Sequence, residues 1–223
     1  MKSFEALEQP ILSATSAESV IAVQSLQQLW GGYGDILKVT LHGSEYGSVI
    51  VKAVKFPQPA DHPRGWQSDF AHQRKLSSYQ VETQWYQHYV QDLPQQCRTP
   101  AFIWQQSNDQ QLLLIMEDLT PNYPVCLSQV NLTQVKTVLT WLAAFHAACL
   151  NKTGEGLWPV GSYWHLQTRP DEWAVMQDEV LKENAHKIDD ALNNATYKTL
   201  IHGDAKLANF CFSENGAKVA GLD

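Results

Sequence analysis

Asp204, Lys206 and Asn209 bring a carboxylate, an ammonium and an amide within six residues, in the stretch Leu200-Ile201-His202-Gly203-Asp204-Ala205-Lys206-Leu207-Ala208-Asn209-Phe210. Together these groups suit group-transfer chemistry. A carboxylate can take the proton of an attacking hydroxyl, and an ammonium can neutralise charge that develops on a transferred group. An amide oxygen is a hard ligand for a divalent cation. Leu200, Ile201, Phe210 and Phe212 would pin such a loop to a core. The plainer alternative is a polar turn between two short strands, because His-Gly-Asp alone recurs by chance.

Such a loop needs other elements to present groups of their own. Residues 36–41 and 48–56 read as two strands joined by a turn at 42–47. Side chains alternate along a strand, so Ile50, Lys52, Val54 and Phe56 share one face. Lys52 is therefore an ammonium among aliphatic neighbours, which must reach solvent along its stem or meet an anion. Lys55 is the rival cation, but it lies at the strand end, nearer solvent. From 68 to 92 the chain reads as a long helix with the apolar stripe Tyr79, Tyr86, Tyr89/Val90 and Leu93, and Glu82 falls on that stripe. A carboxylate there is costly unless paired, and an inward Lys52 is its natural partner. A partly exposed Glu82 at the stripe's edge is the alternative. Ahead of the strands, Gly31-Gly32-Tyr33-Gly34 breaks regular structure. Its N–H groups could lie over phosphates, although a plain surface turn explains the same glycines.

The remaining elements follow in order. Thr15-Ser16-Ala17-Glu18 reads as a capping box that opens a short helix through Val20, Val23 and Leu26. Residues 57–63 read as a loop. Runs at 102–105 and 112–116 read as strands, and Glu117 to Pro121 starts an extended connector whose backbone could serve a flat heterocycle. Thr133 could cap a helix over 134–150 with the apolar face Val135, Val138/Leu139, Leu142, Phe145/His146 and Cys149. His146 is read as structural. The loop at 157–170 is rich in aromatic residues, and Trp158, Tyr163, Trp164 and Trp173 either line a pocket or close the core. Another helix is expected over 171–192, and a hairpin over 210–222 delivers Asp223.

The whole chain narrows the choices. At 223 residues, 44% hydrophobic and 17% charged, it has the make-up of a soluble globular protein with a sizeable core. A net charge of -7 argues against nucleic acid as partner, since a phosphate backbone is bound by clustered cations. Cys97, Cys126, Cys149 and Cys211 are widely spaced and read as reduced thiols rather than disulfides or a zinc site. The N-terminus lacks the apolar core of a signal peptide, and no apolar run approaches the ~20 residues of a membrane span. The expectation is a cytoplasmic protein with no membrane partner and an unknown oligomeric state.

The order glycine-rich turn, strand lysine, helix glutamate, connector, Asp204 with Asn209 five residues on, hairpin and Asp223 parallels the parts of kinase-type phosphotransferases, whose catalytic loop reads H-R-D-x-x-x-x-N. Here His202-Gly203-Asp204 replaces H-R-D, and no G-x-G-x-x-G precedes Lys52. The chain resembles the aminoglycoside phosphotransferase and choline kinase superfamily, most closely its ecdysteroid kinase-like branch. The residues that carry this are Leu29 to Gly34, Val51-Lys52, Tyr79 to Glu82, Met116 to Leu119 and Ile201 to Phe212, with Trp158-Pro159, Tyr163-Trp164 and Arg169-Pro170 in support.

The resemblance implies an α+β, protein-kinase-like bilobal fold with ATP and Mg2+ as cofactors and a small hydroxylated molecule as substrate. Residues 1–119 would form a nucleotide-binding lobe and 120–223 a mainly helical lobe. Lys52 would orient the phosphates and Glu82 would hold Lys52, beneath Gly31, Gly32 and Gly34. The backbone around Glu117 and Leu119 would receive adenine. Asp204 would be the base, Lys206 would neutralise the phosphoryl group, and Asn209 and Asp223 would bind magnesium. In the family the Asp matching Asp223 is followed by Phe and a further helical segment, so the C-terminal lobe is expected to be truncated, with nucleotide binding surviving better than turnover. Two other readings stand beside this one. One is a nucleotide-binding module without catalysis; the other is a protein kinase, disfavoured because nothing after Asp223 could form a peptide platform. The acceptor itself is not named by the sequence.

Overall fold

Alternating apolar side chains build the first half of the chain into a sheet, as the computed structural model of the protein shows; it describes residues 2–56, 69–161 and 173–222. The chain divides into two units, Met1–Asp92 with Thr99–Pro124, and Leu93–Arg98 with Val125–Asp223. The expected loop at 57–63, the first residue of the helix expected from 68, Tyr163, Trp164, Arg169, Pro170, the start of the helix expected from 171, and Asp223 lie outside the described residues.

In the first unit, β1 (Ser19–Gln28), β2 (Gly34–His42), β3 (Ser48–Lys55), β4 (Phe102–Ser107) and β5 (Gln111–Glu117) form one antiparallel sheet in the order β1-β2-β3-β5-β4. Register aligns Ile36, Lys52 and Leu114 in one row and Lys38, Ile50 and Met116 in the next, so all six share a face. On that face lies α2 (Asp69–His88), whose Tyr79 and Tyr86 pack with Val54, Leu112, Leu114 and Met116. The opposite face, with Val39, Val49, Val51, Leu113 and Ile115, is covered by α1 (Lys2–Thr15) through Ile11. The sheet is thus buried on both sides at β3 and β5, which explains their near-continuous apolar sequences.

The start of the chain differs from expectation. Thr15-Ser16-Ala17 ends a helix instead of opening one. Ser16 adopts φ +51°, and the N–H of Ala17 reaches back to the Leu12 carbonyl at 3.1 Å, the closing bond of a Schellman cap. The Thr15 hydroxyl adds a bond of 2.7 Å to the Ile11 carbonyl. Residues 19–28 are then an edge strand. Val20, Val23 and Leu26 fit a helical stripe of only two turns, and the backbone pairing offered by β2 outweighs so short a periodicity.

In the second unit, α3 (Leu132–Ala148) is capped by Asn131, not Thr133. The Asn131 side chain accepts from the Gln134 N–H at 3.0 Å, and the Gln134 side chain returns a bond of 2.9 Å to the Asn131 N–H. The buried stripe is also rotated from the expected face: Trp141, Phe145 and Cys149 are buried while Leu139 is 57% exposed. The reason is Trp141. Its ring stacks on Phe145 at 5.2 Å, meets Phe210 edge-on at 5.6 Å, and donates Nε1–H to the Arg98 carbonyl at 3.0 Å. Phe210 belongs to β6 (Phe210–Phe212), which pairs with β7 (Val219–Gly221) in the expected hairpin. A Cβ on Gly221 would meet the Trp141 ring at 2.6 Å, so only glycine lets the hairpin approach so closely. Helix α4 (Glu179–Asn193) starts later than the expected 171, because Asp178 caps it by accepting from the Leu181 N–H at 3.0 Å; it leaves Val180, Leu181 and Leu192 exposed.

The cysteines are free thiols: Cys97, Cys149 and Cys211 are buried and Cys126 is exposed. Burial pushes the Cys97 thiol up to about 11, with the neighbouring Cys149 adding to it, and burial likewise raises Cys149. Thiol reagents should therefore label Cys126 in the folded protein, with the other three reacting only on unfolding; fast labelling of Cys97 would contradict this packing.

Candidate functional site

Lys52 and Glu82 are brought together in the first unit. Lys52 lies mid-strand in β3, and the Glu82 carboxylate comes from the turn of α2 that crosses the same face of the sheet. The Lys52 Nζ donates to both carboxylate oxygens, at 2.5 and 2.6 Å, with the two side chains 7% and 14% exposed. The Tyr79 ring stands 5.7 Å from the same ammonium. Lys55, the rival cation, lies exposed at the end of β3. The two-point contact orients the ammonium on the sheet face, and the surrounding apolar side chains lower the local dielectric.

Gly31, Gly32 and Gly34 occupy the turn from β1 into β2. All three have positive φ, +78°, +79° and +135°. A Cβ on Gly34 would run into the Ala53 carbonyl oxygen, whereas one on Gly32 would meet nothing within 4 Å. Gly34 is thus fixed by packing against β3. Gly32 has room above it and is glycine for its backbone conformation alone.

Glu117 and Leu119 follow β5. The Glu117 side chain accepts from the Ala101 N–H at 3.1 Å, and the Leu119 carbonyl accepts from Asn122 and Tyr123 at 3.1 and 2.8 Å. Between them stands a residue whose role the sequence did not suggest. The Asp118 carboxylate is 1% exposed and paired to Lys38 at 2.7 Å, with Ser48 and Thr120 also bound to it. Burial alone would raise its pKa. The hydrogen bonds from Lys38, Ser48 and Thr120 outweigh burial and hold Asp118 below the usual 3.8. An acid directly after an apolar strand, two residues before a threonine, was the available signal.

In the second unit the loop from His202 to Asn209 is closed by its own backbone. Gly203 turns at φ +81°, the Lys206 N–H meets the Asp204 carbonyl at 2.8 Å, and a 3-10 turn over Leu207–Asn209 carries the chain into β6. Lys206 and Asn209 both engage Asp204. The Lys206 Nζ lies 2.6 Å from Asp204 Oδ2, and the buried Asn209 donates Nδ2–H to the same oxygen at 3.1 Å and to the Asp204 carbonyl at 2.9 Å. Both contacts fall on Oδ2, and the Asp204 side chain is 37% exposed. With Asn209 donating through nitrogen, its Oδ1 keeps acceptor capacity. The Asn209 carbonyl accepts from the Leu222 N–H at 2.8 Å, tying the loop to the chain just before Asp223.

His202 sets the entry to the loop. Its Nε2 faces the Leu222 carbonyl at 3.1 Å, and Nδ1 receives the Asp204 N–H in a long contact of 3.4 Å. The two ring nitrogens thus tie the entry of the loop to both the Leu222 carbonyl and the Asp204 backbone. The ring packs between Trp141 and Phe210, at 6.2 and 5.7 Å. His146 is half-buried; burial, and then the neighbouring His202, hold it below the ordinary imidazole value. Trp158 is half-buried, and Trp173, also half-buried, meets the exposed His186 of α4 edge-on at 5.0 Å.

Two outcomes follow from these pairs. Lys52→Met leaves a buried Glu82 carboxylate without its ammonium and should cost about 3–5 kcal/mol in urea unfolding. The double variant Lys52→Met/Glu82→Leu should recover much of that loss, and a simple sum of the two single effects would show the pair to be uncoupled. For Asp118, a depressed native pKa means stability present above 3.8 and lost as pH falls through the lower folded value. The stability gap between wild type and Asp118→Asn should be full near neutrality and close on acidification below 3.8, and a pH-independent gap would refute the assignment.

Neither a protein-family model nor a curated protein matches this chain. Among solved structures it is similar to WbdD. A co-crystal of WbdD with the kinase inhibitor LY294002 aligns at 12% identity and a TM-score of 0.47, over 92% of this chain and 32% of that one. The bifunctional kinase-methyltransferase WbdD at medium resolution aligns at 14% identity and 0.47, over 92% and 33%. A further WbdD structure, at 17% identity and 0.39, covers 60% and 27%. The chain spans about a third of the WbdD chains in the two fuller alignments. Likeness at these values assigns neither a family nor an activity to it.

Proposed function

We propose that this chain is a cytoplasmic ATP-dependent phosphotransferase that moves the γ-phosphate to a hydroxyl of a small molecule. The observation that carries the reading is the state of Asp204. Lys206 and Asn209 both hold Oδ2 of a side chain that is 37% exposed, so neither contact occupies Oδ1. That is the arrangement a base needs in order to accept a hydroxyl proton with a cation at hand. The bidentate Lys52–Glu82 pair supports it from the first unit, as an oriented ammonium suited to phosphate oxygens.

In this reading the kinase-like fold is bilobal, with residues 1–119 serving the nucleotide and 120–223 the acceptor. Lys52 orients the phosphates and Glu82 keeps Lys52 in place. The turn of Gly31, Gly32 and Gly34 offers backbone N–H groups to the same phosphates, and the backbone at Glu117 and Leu119 receives the base. Asp204 takes the acceptor proton. Lys206 exchanges its hold on Asp204 for the transferred group as negative charge develops there.

Magnesium suits the donors present. Among the described residues no three His, Cys, Asp or Glu side chains cluster as a metal site, so an ion beside Asn209 would draw most of its ligands from phosphates and water. Asn209 Oδ1 and Asp223 would hold it, Asp223 lying outside the described residues. Bound there, it would neutralise phosphate charge. No helix among the described residues is long and apolar enough to cross a membrane.

The test is calorimetric ATP binding with and without magnesium, followed by phosphate transfer to a panel of alcohols. Asp204→Asn should lower turnover by roughly 10²–10⁴-fold while ATP affinity stays within about threefold. Lys52→Met should weaken ATP binding as well. Absence of ATP binding by the wild type would sink the proposal, whereas binding without turnover would favour a nucleotide-binding module that lacks catalysis.

A further inference from the structure

The cluster around Asp118 has no part in the chemistry assigned above, yet its carboxylate is 1% exposed and held by donors from three segments. Ser48 Oγ–H and Lys38 Nζ donate to Oδ2 at 2.5 and 2.7 Å, and the Thr120 N–H and Oγ1–H donate to Oδ1 at 2.9 and 2.7 Å. The Lys38 Nζ also donates to Thr120 Oγ1 at 2.7 Å, so that hydroxyl accepts one bond and gives another. Four donors on two oxygens use the full capacity of a carboxylate.

The partners come from three places. Thr120 lies in the segment after β5, Ser48 opens β3, and Lys38 belongs to β2. A turn within the segment would be closed by the Thr120 bonds alone. The bonds to Ser48 and Lys38 do something more, since they fasten that turn to two strands of the sheet. The flanking residues are fastened as well, Glu117 through the Ala101 N–H and Leu119 through Asn122 and Tyr123. Backbone on both sides of Asp118 is thereby fixed in direction. Lys38 also stands in the row of Ile50 and Met116, directly beside the row that contains Lys52. The fastened segment and the oriented ammonium are therefore referenced to the same sheet face.

We propose that Asp118, with Lys38, is a positioning residue for recognition of the heterocyclic base of a nucleotide by the backbone of residues 117–119. This rests on the phosphotransferase reading and deepens it. Backbone donors and acceptors recognise a flat heterocycle only if their directions are set in advance, because freedom left in the segment is lost on binding. Asp118 sets them through the sheet. It does not touch the phosphates, so the two ends of a nucleotide should respond differently when the clamp is cut.

The experiment titrates the full chain separately with adenosine and with magnesium tripolyphosphate, for the wild type, Asp118→Asn and Lys38→Met. Both variants should lose about tenfold in adenosine affinity and keep their tripolyphosphate affinity. Lys38 is 27% exposed, so Lys38→Met carries the test should Asp118→Asn fail to fold. Unchanged adenosine affinity in a folded variant, or an equal loss for both ligands, overturns the proposal while leaving the phosphotransferase reading in place. A wild type that binds neither adenosine nor ATP overturns both together.

Discussion

A positive charge inside a sheet is the constraint around which the first unit is arranged. Lys52 stands in β3, which has strands on both sides and helices over both faces, so its ammonium has no short way to water. A carboxylate delivered from above satisfies it, and this ties where α2 crosses to the residue it presents. The apolar contacts of Tyr79 and Tyr86 supply the adhesion, while Glu82 supplies the registration. Sliding the helix by one residue would bury two charges apart, an error far more costly than a misfitted methyl group.

The second unit solves a different problem with an aromatic ring. A loop that holds a carboxylate, an ammonium and an amide has little apolar area of its own, so it must borrow rigidity. Trp141 lends it. The indole touches Phe145 within its own helix, Phe210 at the loop's exit and His202 at its entry, and its N–H holds the Arg98 carbonyl. The Gly221 N–H reaches that same carbonyl at 2.9 Å. One side chain therefore fixes both ends of the loop and the strand behind it. The aromatic packing decides where Asp204 sits, and the hydrogen bonds of Lys206 and Asn209 decide which of its oxygens is used.

What could be read from the residues was what depends on near neighbours in sequence or on a single periodicity. Strand alternation placed Lys52, a helical stripe placed Glu82, and the spacing from Asp204 to Asn209 marked a loop whose side chains do meet. The first thirty residues went the other way. Val20, Val23 and Leu26 satisfy a helix and an edge strand alike, and the cap at Ser16 announces itself only through a bond back to Leu12. Helix α3 was found but turned, since a tally of aliphatic positions underrates one tryptophan with three aromatic partners. Asp118 had a local signal in the strand before it and the threonine after it, but its bond to Ser48 spans 70 positions, and no local pattern couples those two.

Strand β1 carries a consequence of its own. It is one of the sheet's two outer strands, exposed along nearly its whole length, with Ile21 at 62% and Leu26 at 47%. Its outward row of backbone groups is a template on which a second extended chain could assemble. The pairing of β1 with β2 slips twice, between Val20 and Ala22 and between Ser25 and Gln27. Each slip bends the strand and breaks the repeat that an incoming chain would have to match over several residues. The irregular pairing that made this stretch hard to recognise thus also makes β1 a poorer template for a second extended chain.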